Sequence, residues 1–260
     1  MDLRLTFNEI SAEYDRLRPG YADALFSDVI QFSGLGPAEK ALEIGIGTGQ
    51  ATTPFLKTGC ELTAIEIGDN LARRSREKFA GYERFKVLNQ DFESVSLDEN
   101  SYSLIYSASA FHWIPPEIGM PKVLRLLKAG GAFAWFSMRP APEREDIHDE
   151  LQKVYEEYGR YFPGGRLEFD SGPAARKVLS DRVNIFRLYG FVDIKDKLYY
   201  GARTLSAGDY AALCGTYSDH RAIPEKDRSL FLRKIEDTVN RFGGEFTFAD
   251  TFLLCLGRKA

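Results

Sequence analysis

The chain has 260 residues, enough to bury the core of one large domain or of one domain with an inserted lid. Its 44% hydrophobic and 28% charged residues are ordinary for a soluble globular protein, and its net charge of −4 argues against a nucleic-acid binder, which needs a basic face. No apolar run reaches the ~20 residues of a membrane helix, and the opening Met-Asp-Leu-Arg-Leu is no signal peptide.

Two helices are predicted before the first strand. Apolar and aromatic residues at helical spacing between positions 7 and 17 indicate the first helix, and Arg18-Pro19-Gly20 ends it. A second helix follows and closes at Gly34-Leu35-Gly36-Pro37. Residues 1–38 are therefore predicted to form a helical cap ahead of the sheet.

Three glycines at alternate positions, Gly45, Gly47 and Gly49, follow an apolar run that predicts a buried strand over Lys40–Ile44. Glycine lets the chain turn sharply and lets the backbone approach a ligand, including with its N–H groups. A crossover helix is predicted after about Gln50, and it begins a little later because Pro54 fits only a first turn. This pattern is typical of a nucleotide-type loop at the first strand of a doubly wound sheet, although a turn that binds nothing is the alternative.

The glycine spacing separates two kinds of nucleotide ligand. The dinucleotide fingerprint is G-x-G-x-x-G, whereas here the third glycine comes one residue early. Glu43 would repel a pyrophosphate and suits a ligand that carries an ammonium and a sulfonium. The motif Glu43-x-Gly45-x-Gly47-x-Gly49 resembles motif I of the class I S-adenosylmethionine-dependent methyltransferases. The resemblance implies S-adenosylmethionine as the cofactor and S-adenosylhomocysteine as the product.

The strand predicted over Glu61–Ile67 ends with an acidic residue, Glu66, about 20 residues after the loop. That interval is expected for the acid that holds the ribose hydroxyls, because one carboxylate can accept two hydrogen bonds. Ile67, beside it, is a further candidate for contact with the cofactor. An exposed glutamate at a strand end is the less favoured alternative.

The next predicted strand, Phe85–Leu88, leads to Asp91 and Phe92. The resemblance implies that Asp91 accepts a hydrogen bond from the adenine amino group and that Phe92 packs on the ring. Asp91 as a turn residue or helix cap is the alternative. Since parallel strands end at one edge of the sheet, three acidic side chains are expected there, and their charge favours S-adenosylmethionine over a dinucleotide.

A fourth strand is predicted over Tyr102–Ser107, and the small residues Ser107 and Ala108 permit close approach of the cofactor. The segment Ser-Ala-x-x-Phe-His-Trp resembles a loop of small-molecule and ubiquinone-pathway methyltransferases. This implies that Phe111, His112 and Trp113 lie between the cofactor and the acceptor. His112 could act as a general base with its ordinary pKa near about 6.5, but a structural hydrogen bond is favoured because many transfers in this family need no base.

The same family resemblance extends to the N-terminal cap, through the pattern Phe7…Tyr14…Arg18-Pro19-x-Tyr21. It implies that Tyr14 and Arg18 reach the methionine end of the cofactor, where Arg18 could clamp the carboxylate with two hydrogen bonds. A core position for Tyr14 and a surface position for Arg18 are equally compatible with the sequence.

The C-terminal half alternates less regularly. A strand over Ala132–Ser137 follows Lys-x-Gly-Gly, and residues 139–185 are predicted to be a lid or acceptor insertion. Further strands are predicted over Phe191–Tyr200 and Thr247–Leu256. Between them, a segment similar to proteins related to trans-aconitate methyltransferase offers Thr216, Tyr217 and His220 as acceptor contacts.

Other charged and sulfur-containing residues are given structural interpretations. The basic cluster Arg73, Arg74, Arg76 and Lys78 is predicted to be a solvated helix face. The three cysteines are far apart and the three histidines are scattered, so a disulfide framework or zinc site is disfavoured and a cytoplasmic location is expected.

The sequence thus predicts a three-layer α/β fold, the Rossmann-like methyltransferase fold, with a seven-stranded, mostly parallel sheet whose last strand is antiparallel. One domain is expected: residues 1–38 as the cap, 39–138 as the cofactor-binding core, 139–185 as the lid and 186–260 as the C-terminal strands and helices. The predicted reaction is methyl transfer to a small-molecule acceptor, such as a carboxyl or hydroxyl compound, by a monomer or homodimer that binds no nucleic acid, membrane or metal. The alternatives are a protein or RNA methyltransferase, a dinucleotide-dependent oxidoreductase, and a protein that binds the cofactor without transferring a methyl group.

Overall fold

The computed structural model describes residues 15–162 and 172–260. The strands are β1 (Lys40–Ile44), β2 (Glu61–Glu66), β3 (Phe85–Asn89), β4 (Tyr102–Ala108), β5 (Leu127–Pro142), β6 (Val192–Ser206) and β7 (Glu245–Arg258). The helices are α1 (Asp23–Ser33), α2 (Thr52–Leu56), α3 (Asp69–Lys78), α4 (Pro116–Leu126), α5 (Glu145–Glu157), α6 (Gly172–Leu188), α7 (Ala207–Cys214), α8 (Ser218–Arg221) and α9 (Glu225–Arg241). Residues 15–17 are helical, and the helix ends before Arg18, as predicted. Tyr14 and the earlier residues of the first predicted helix lie outside the described residues.

All seven strands belong to one sheet with the order β3-β2-β1-β4-β5-β7-β6. Strands β1 to β5 are parallel to one another, and β7 is antiparallel to both β5 and β6. The predicted seven-stranded sheet with an antiparallel last strand is therefore confirmed. From β1 the chain builds β2 and β3 on one side of the sheet and then returns to place β4 on the other side of β1. Open α/β sheets bind ligands at the carboxyl end of the strands where the order reverses in this way.

Alternate residues of the central strands face opposite layers of helices, as the period of two in a strand requires. In β4, Tyr106 packs in the cluster beneath α1 and α2, whereas its neighbour Ile105 packs in the cluster beneath α4 and α6. The four buried residues of β1 belong to the centre of the sheet. The continuous apolar runs of the sequence therefore correspond to strands that are covered on both faces.

Strand β5 is longer than predicted, since it continues to Pro142 instead of ending at Ser137. Its extension pairs with β7 as far as Pro142 and Phe248, and β7 pairs with β6 as far as Glu245 and Ser206. The prolines and charged residues of this extension do not interrupt β5, because the extension pairs with β7 along one of its two edges. The three strands form an arm that projects beyond the ligand edge of the sheet.

The arm carries a third apolar cluster, here called the lid cluster, which differs from the predicted lid. Its members come from α5, α7, α9 and the first residues of β7: Ile147, Leu151, Val154, Tyr155, Tyr210, Ala211, Phe231, Ile235, Val239, Phe246 and Phe248. Most of helix α6 lies in the predicted insertion 139–185, but the helix packs against the sheet. Its Phe186 is fully buried and stacks on Phe133 of β5 with ring centroids 5.3 Å apart.

The basic residues of helix α3 form a mostly exposed face, as predicted, and two of them also hold the helix in place. Lys78 Nζ donates hydrogen bonds to the Thr48 carbonyl of the glycine loop (2.9 Å) and to Asp15 (2.8 Å). The Arg76 guanidinium donates two hydrogen bonds to the Val87 carbonyl of β3. These contacts fasten α3 to the loop and to the neighbouring strand.

Candidate functional site

The carboxyl ends of the parallel strands open into a cleft of about 1090 Å³. That volume is at the upper end of the range of about 300–1,000 Å³ that is usual for small-molecule sites. The predicted site residues that line the cleft are Arg18, Glu43, Gly45, Gly47, Glu66, Ile67, Asp91, Phe92, Ala108, His112, Trp113 and Tyr217. One concave surface therefore brings together most of the predicted residues that the structure describes.

Three predicted site residues support the cleft from behind without lining it. Phe111 is fully buried, with its ring centroid 4.9 Å from that of Phe133 and 5.1 Å from that of Trp135, so its predicted acceptor contact is a core contact instead. Ser107 Oγ donates to the Ile44 carbonyl (2.9 Å) and joins β4 to β1. Gly49 lies against Phe79, at a position where a Cβ would come within 2.3 Å of the ring.

The glycine loop owes its shape to left-handed backbone conformations, with φ of 73° at Gly45, 58° at Gly47 and 83° at Gly49. A Cβ on Gly45 would lie 2.4 Å from the Cβ of Ala110, so the loop and the β4 turn meet only because this residue has no side chain. The Gly45 N–H donates to the Ile65 carbonyl (2.9 Å) and the Gly49 N–H to the Ile46 carbonyl (2.9 Å). These N–H groups are used inside the protein and not for the predicted contact with a ligand.

Glu66 is buried at the end of β2 and is held by the backbone on both carboxylate oxygens. The Gly47 N–H donates to Oε2 (2.8 Å) and the Gly68 N–H donates to Oε1 (2.9 Å). Burial raises the pKa of Glu66, while these two backbone donors act in the opposite direction. Because each carboxylate oxygen has a second lone pair, the oriented group can still accept hydrogen bonds from a ligand in the cleft.

Glu43 is almost fully buried where β1 enters the loop. Thr52 Oγ1 and the Tyr106 hydroxyl both donate to its Oε2, at 2.7 and 2.8 Å. Burial raises the pKa of Glu43 to about 8, and the nearby charge of Glu66 acts in the same direction. The carboxyl group is therefore mostly protonated at neutral pH, and a cation bound in the cleft would favour its ionised form.

Asp91 and Phe92 form the wall of the cleft after β3. Asp91 Oδ1 accepts a hydrogen bond from the Glu93 N–H (3.0 Å), so the turn role that competed with adenine binding is present in the structure. Phe92 is 3% exposed, and Lys122 Nζ lies 5.1 Å from its ring centroid. The same Nζ donates to the Val95 carbonyl (2.6 Å), which secures the segment against α4.

The cleft continues past the end of β4 to a second end that is positively charged. His112, Trp113, Arg139 and Arg182 line it. Desolvation by the cleft walls, together with the charges of Arg182 and Arg139, lowers the pKa of His112 from 6.5 to about 4. His112 is therefore neutral at pH 7, which allows its imidazole to accept one hydrogen bond and donate another.

The lid side of the cleft carries a chain of hydrogen bonds that joins three side chains. Tyr155 OH lies 2.7 Å from His220 Nε2, and His220 Nδ1 lies 2.7 Å from Asp219 Oδ1. A carboxylate only accepts, so Nδ1 donates to Asp219 and, in the neutral ring, Nε2 accepts from the tyrosine. The tyrosine oxygen keeps lone pairs that can accept a proton or a hydrogen bond.

Arg18 fastens the N-terminal segment to the lid side of the cleft. Its Nη2 donates to the Thr216 carbonyl (3.1 Å), and its guanidinium lies 4.8 Å from the ring centroid of Tyr217. Thr216 itself is 1% exposed and its hydroxyl donates to the Leu213 carbonyl (2.7 Å), so it does not reach the cleft as predicted. Tyr217 and His220 do line the cleft.

Two arginines at the second end of the cleft, Arg139 and Arg182, were not predicted from the sequence as site residues. Arg182 lies on α6 between Leu179 and Ile185, at helical spacing from apolar residues that face the sheet. A charged side chain on such a face is the signal that could have identified it, because buried charge is rare without a function or a partner. Arg139 lies on the β5 extension, which was predicted to be outside the sheet.

Residues 42–135 match the family described as methyltransferase domain. An uncharacterized methyltransferase of Mycobacterium tuberculosis is 29% identical over 50% of this chain and 51% of its own length. A probable S-adenosylmethionine-dependent methyltransferase of Saccharomyces cerevisiae is 26% identical over 68% of this chain and 65% of its own length. The chain thus spans about half the length of the mycobacterial relative that it matches.

The fold has solved counterparts. The phosphoethanolamine N-methyltransferase 2 of Haemonchus contortus, solved in complex with S-adenosyl-L-methionine, superposes with a TM-score of 0.55 at 13% identity. The superposition covers 97% of this chain and 57% of that one. The matched domain and the relatives favour a methyltransferase over the dinucleotide-dependent alternative, whereas the trans-aconitate subgroup stays a prediction. The chain thus contains a segment that matches the methyltransferase domain and is similar to S-adenosylmethionine-dependent methyltransferases.

Proposed function

We propose that the chain transfers a methyl group from S-adenosylmethionine to a small-molecule acceptor. The observation that carries the proposal is the continuity of the cleft, which runs from the acidic glycine-loop end to His112 and Trp113 within one concave surface. A cofactor at the first end and an acceptor at the second would share one enclosed space. This is the geometry that a direct transfer requires.

The residues at the acidic end fit the cofactor in charge and in shape. Glu66, oriented by two backbone donors, would accept the hydrogen bonds of the ribose hydroxyls. Asp91 and Phe92 would bind the adenine, with Ile67 beside the ribose, while Gly45 and Ala108 would permit close approach of the cofactor. Arg18, which lines the cleft next to the lid, would bind the methionine carboxylate, and Tyr14 is proposed to lie beside it.

Glu43 would contribute charge to the same end. Its carboxyl group lies behind the glycine loop and is bonded to Thr52 and Tyr106. Its raised pKa means that the positive charge of a bound ligand would draw it toward the ionised form. The loop would therefore become more negative when a cation binds and would favour a sulfonium over a neutral analogue.

When bound, S-adenosylmethionine would supply an electrophilic methyl group, to which an acceptor lone pair bonds in line while the methyl–sulfur bond breaks and S-adenosylhomocysteine leaves with the electron pair. The chain's own residues orient the acceptor and exclude water. Neutral His112 can hold an acceptor hydroxyl or carboxyl proton by a hydrogen bond, and Trp113 closes the space beside it. The Tyr155 oxygen, backed by His220, offers a second place for a proton.

A small acceptor is favoured over a protein or RNA by the walls of the positive end. Tyr155, Phe162, Tyr217 and His220 enclose the cleft from the lid side. A net charge of −4 also gives little attraction for RNA. Across the described residues, no helix has the length and apolar character to cross a membrane, and no three histidine, cysteine or acidic side chains form a group that could hold a metal ion.

The proposal is tested first by isothermal titration calorimetry with S-adenosylmethionine, S-adenosylhomocysteine and NAD. We expect binding of the first two and none of NAD. Isotope-labelled S-adenosylmethionine is then incubated with a panel of carboxylic acids, phenols and amines, and transfer is detected by mass spectrometry. Binding of NAD alone would overturn the proposal at the cofactor, and cofactor binding without transfer to any class would favour a protein that only holds the cofactor.

A further inference from the structure

The guanidinium of Arg182 is buried in the wall of the cleft, and no described residue forms an ion pair with it. The residue is only 6% exposed, and it lines the positive end of the cleft. Its Nη2 donates to Ser137 Oγ (2.7 Å), and its Cζ lies 4.6 Å from the ring centroid of Trp135. Its Nη1 is buried with no hydrogen-bond partner, and within residues 15–162 and 172–260 no carboxylate forms an ion pair with it.

A buried cation that lacks an anion is unfavourable for the protein alone. The serine hydroxyl and the tryptophan face are neutral groups, which replace only part of the hydration that the guanidinium loses. Burial lowers the pKa of Arg182 to about 10, and the charge of Arg139 acts in the same direction, yet the side chain stays protonated at neutral pH. The site is thus complete only when an anion occupies it.

The surroundings determine what kind of anion can enter. Arg139 lines the same end of the cleft and adds a second positive charge, whereas His112 is neutral there. Asp181 also lines the cleft, but its carboxylate does not pair with Arg182. The neighbouring walls, Trp113 and Trp135, are aromatic, so the anion is expected at the end of a partly apolar molecule.

Acidic side chains and arginines lie on opposite sides of the cleft. Glu43, Glu66 and Asp91 follow β1, β2 and β3 on one side, and Arg139 and Arg182 lie by β5 and α6 on the other. We propose that the methyl acceptor carries an anionic oxygen group, a carboxylate or a phosphate, that pairs with Arg182 with the help of Arg139. This inference rests on the proposed function, and it names the substrate class of that site. The planar guanidinium suits both anions, because each offers oxygen atoms at the spacing of its N–H donors.

The test measures anion binding separately from methyl transfer. The protein is first saturated with S-adenosylhomocysteine and is then titrated by calorimetry with phenylacetate, phenyl phosphate and the neutral phenylacetamide. We expect at least one anion to bind about tenfold or more tightly than the amide, which is the range of a charge-assisted hydrogen bond. The stronger of the two anions identifies the acceptor group as a carboxylate or a phosphate.

Variants on one helix assign the effect to the side chain. Arg182→Met keeps the length and apolar packing of the residue, and it should reduce the affinity for the anion to that for the amide. Arg182→Lys should retain part of the preference, and Arg176→Met, an exposed position on the same helix, should retain all of it. The melting temperature of Arg182→Met without ligand should be unchanged or higher, because an unpaired buried charge has been removed.

Two results would overturn the inference. One is equal affinity, or no detectable affinity, for the acids and the amide in wild-type protein that is saturated with S-adenosylhomocysteine. The other is an Arg182→Met protein that melts at a lower temperature but keeps its preference for the anion, which would assign Arg182 a purely structural role. Failure to bind S-adenosylhomocysteine would instead contradict the proposed function, so the two failures are distinguishable.

Discussion

The orientation and protonation of individual side chains in the cleft depend more on their hydrogen-bond partners than on their positions in the sequence. Glu66 and Glu43 both follow buried strands, yet Glu66 is held by backbone N–H groups and Glu43 by two hydroxyls. The first group is presented to the cleft as an oriented acceptor. The second supports the loop from behind, and its protonation depends on what binds in front of it.

Glu66→Gln should weaken the binding of S-adenosylhomocysteine by about 10–100-fold, because an amide has one acceptor oxygen where the carboxylate has two charged ones. Calorimetric dissociation constants measure the effect. Glu61→Gln, at the opposite end of the same strand, is the matched control and should bind like the wild type. Equal affinities for the two variants would place the ribose elsewhere.

His112 should titrate well below the ordinary range of histidine. Its pKa of about 4 in the folded protein, against 6.5 for the ordinary side chain, predicts a midpoint below pH 5 when its ring resonance is followed by NMR and assigned with His112→Asn. Because the folded-state pKa is the lower one, the contribution of His112 to stability is present above about pH 6.5 and is lost as the pH falls toward 4. A midpoint near 6.5 would contradict this desolvated environment and would restore an ordinary general base.

At the scale of elements, the glycine loop and α6 show two ways in which local sequence positions a site. The loop is built from three left-handed glycines that let β1 and the end of β4 meet. Helix α6 is positioned by packing, and it brings a charged residue to the cleft while its apolar side covers the sheet. The first signal is visible in the sequence as a motif, whereas the second depends on contacts with distant residues.

Gly45→Ala should impair the site through the backbone. The new methyl group would meet Ala110 at 2.4 Å while φ is +73°, so the loop must shift away from its position at the cleft. We expect at least a tenfold loss of affinity for S-adenosylhomocysteine and a stability cost of about 1–3 kcal/mol, measured by calorimetry and urea unfolding. Gly81→Ala, which has open space around it, should change neither quantity. Wild-type affinity in Gly45→Ala would show that the loop shape is not needed.

Phe186→Ala tests the placement of α6 against the sheet. Removal of this fully buried ring, which stacks on Phe133, should lower the free energy of unfolding by about 3–5 kcal/mol. Leu188→Ala on the same helix is the control, since Leu188 is 79% exposed and should change stability by less than about 0.5 kcal/mol. A small effect of Phe186→Ala would indicate that α6 belongs to the lid or acceptor insertion that the sequence predicted over residues 139–185.

At the scale of the whole molecule, the cleft separates charge along the sheet, with acids on one side of β4 and arginines on the other. The lid cluster is joined to the sheet by the paired extensions of β5, β7 and β6. Both features are properties of the assembled chain. In the proposed function, they would orient a cationic cofactor and an anionic acceptor in opposite senses within one space.

Global stability should fall as the pH rises toward 9 because of Glu43. Its pKa is raised from 4.5 to about 8, so its favourable contribution is complete below about pH 4.5 and is lost as the pH rises through 8. In urea unfolding at pH 6 and pH 9, Glu43→Gln should lose less stability than the wild type, by on the order of 2 kcal/mol. Glu83→Gln, an exposed control, should behave like the wild type. Parallel losses in all three proteins would show that Glu43 is already ionised when folded.

The positions of the strands along the chain and the acidic end of the cleft were predictable because they depend on local patterns. The apolar runs, the glycine spacing and the intervals to Glu66 and Asp91 are all short-range features of the chain. The positive end was not predictable, because Arg139 and Arg182 are brought together by α6 packing on β5. The core position of Phe111 was equally hidden, since neighbours in a sequence can face opposite sides of a turn.

The position of β7 between β5 and β6 has a consequence for how the chain assembles during synthesis. Among the described residues, strand β6 has β7 as its only ladder partner, so residues 192–206 leave the ribosome before the strand that they pair with exists. Until residue 258 has emerged, β5 remains an unprotected edge that is open to pairing with other chains. The nascent chain is thus most prone to aggregate late in translation, when its first five strands can already be folded.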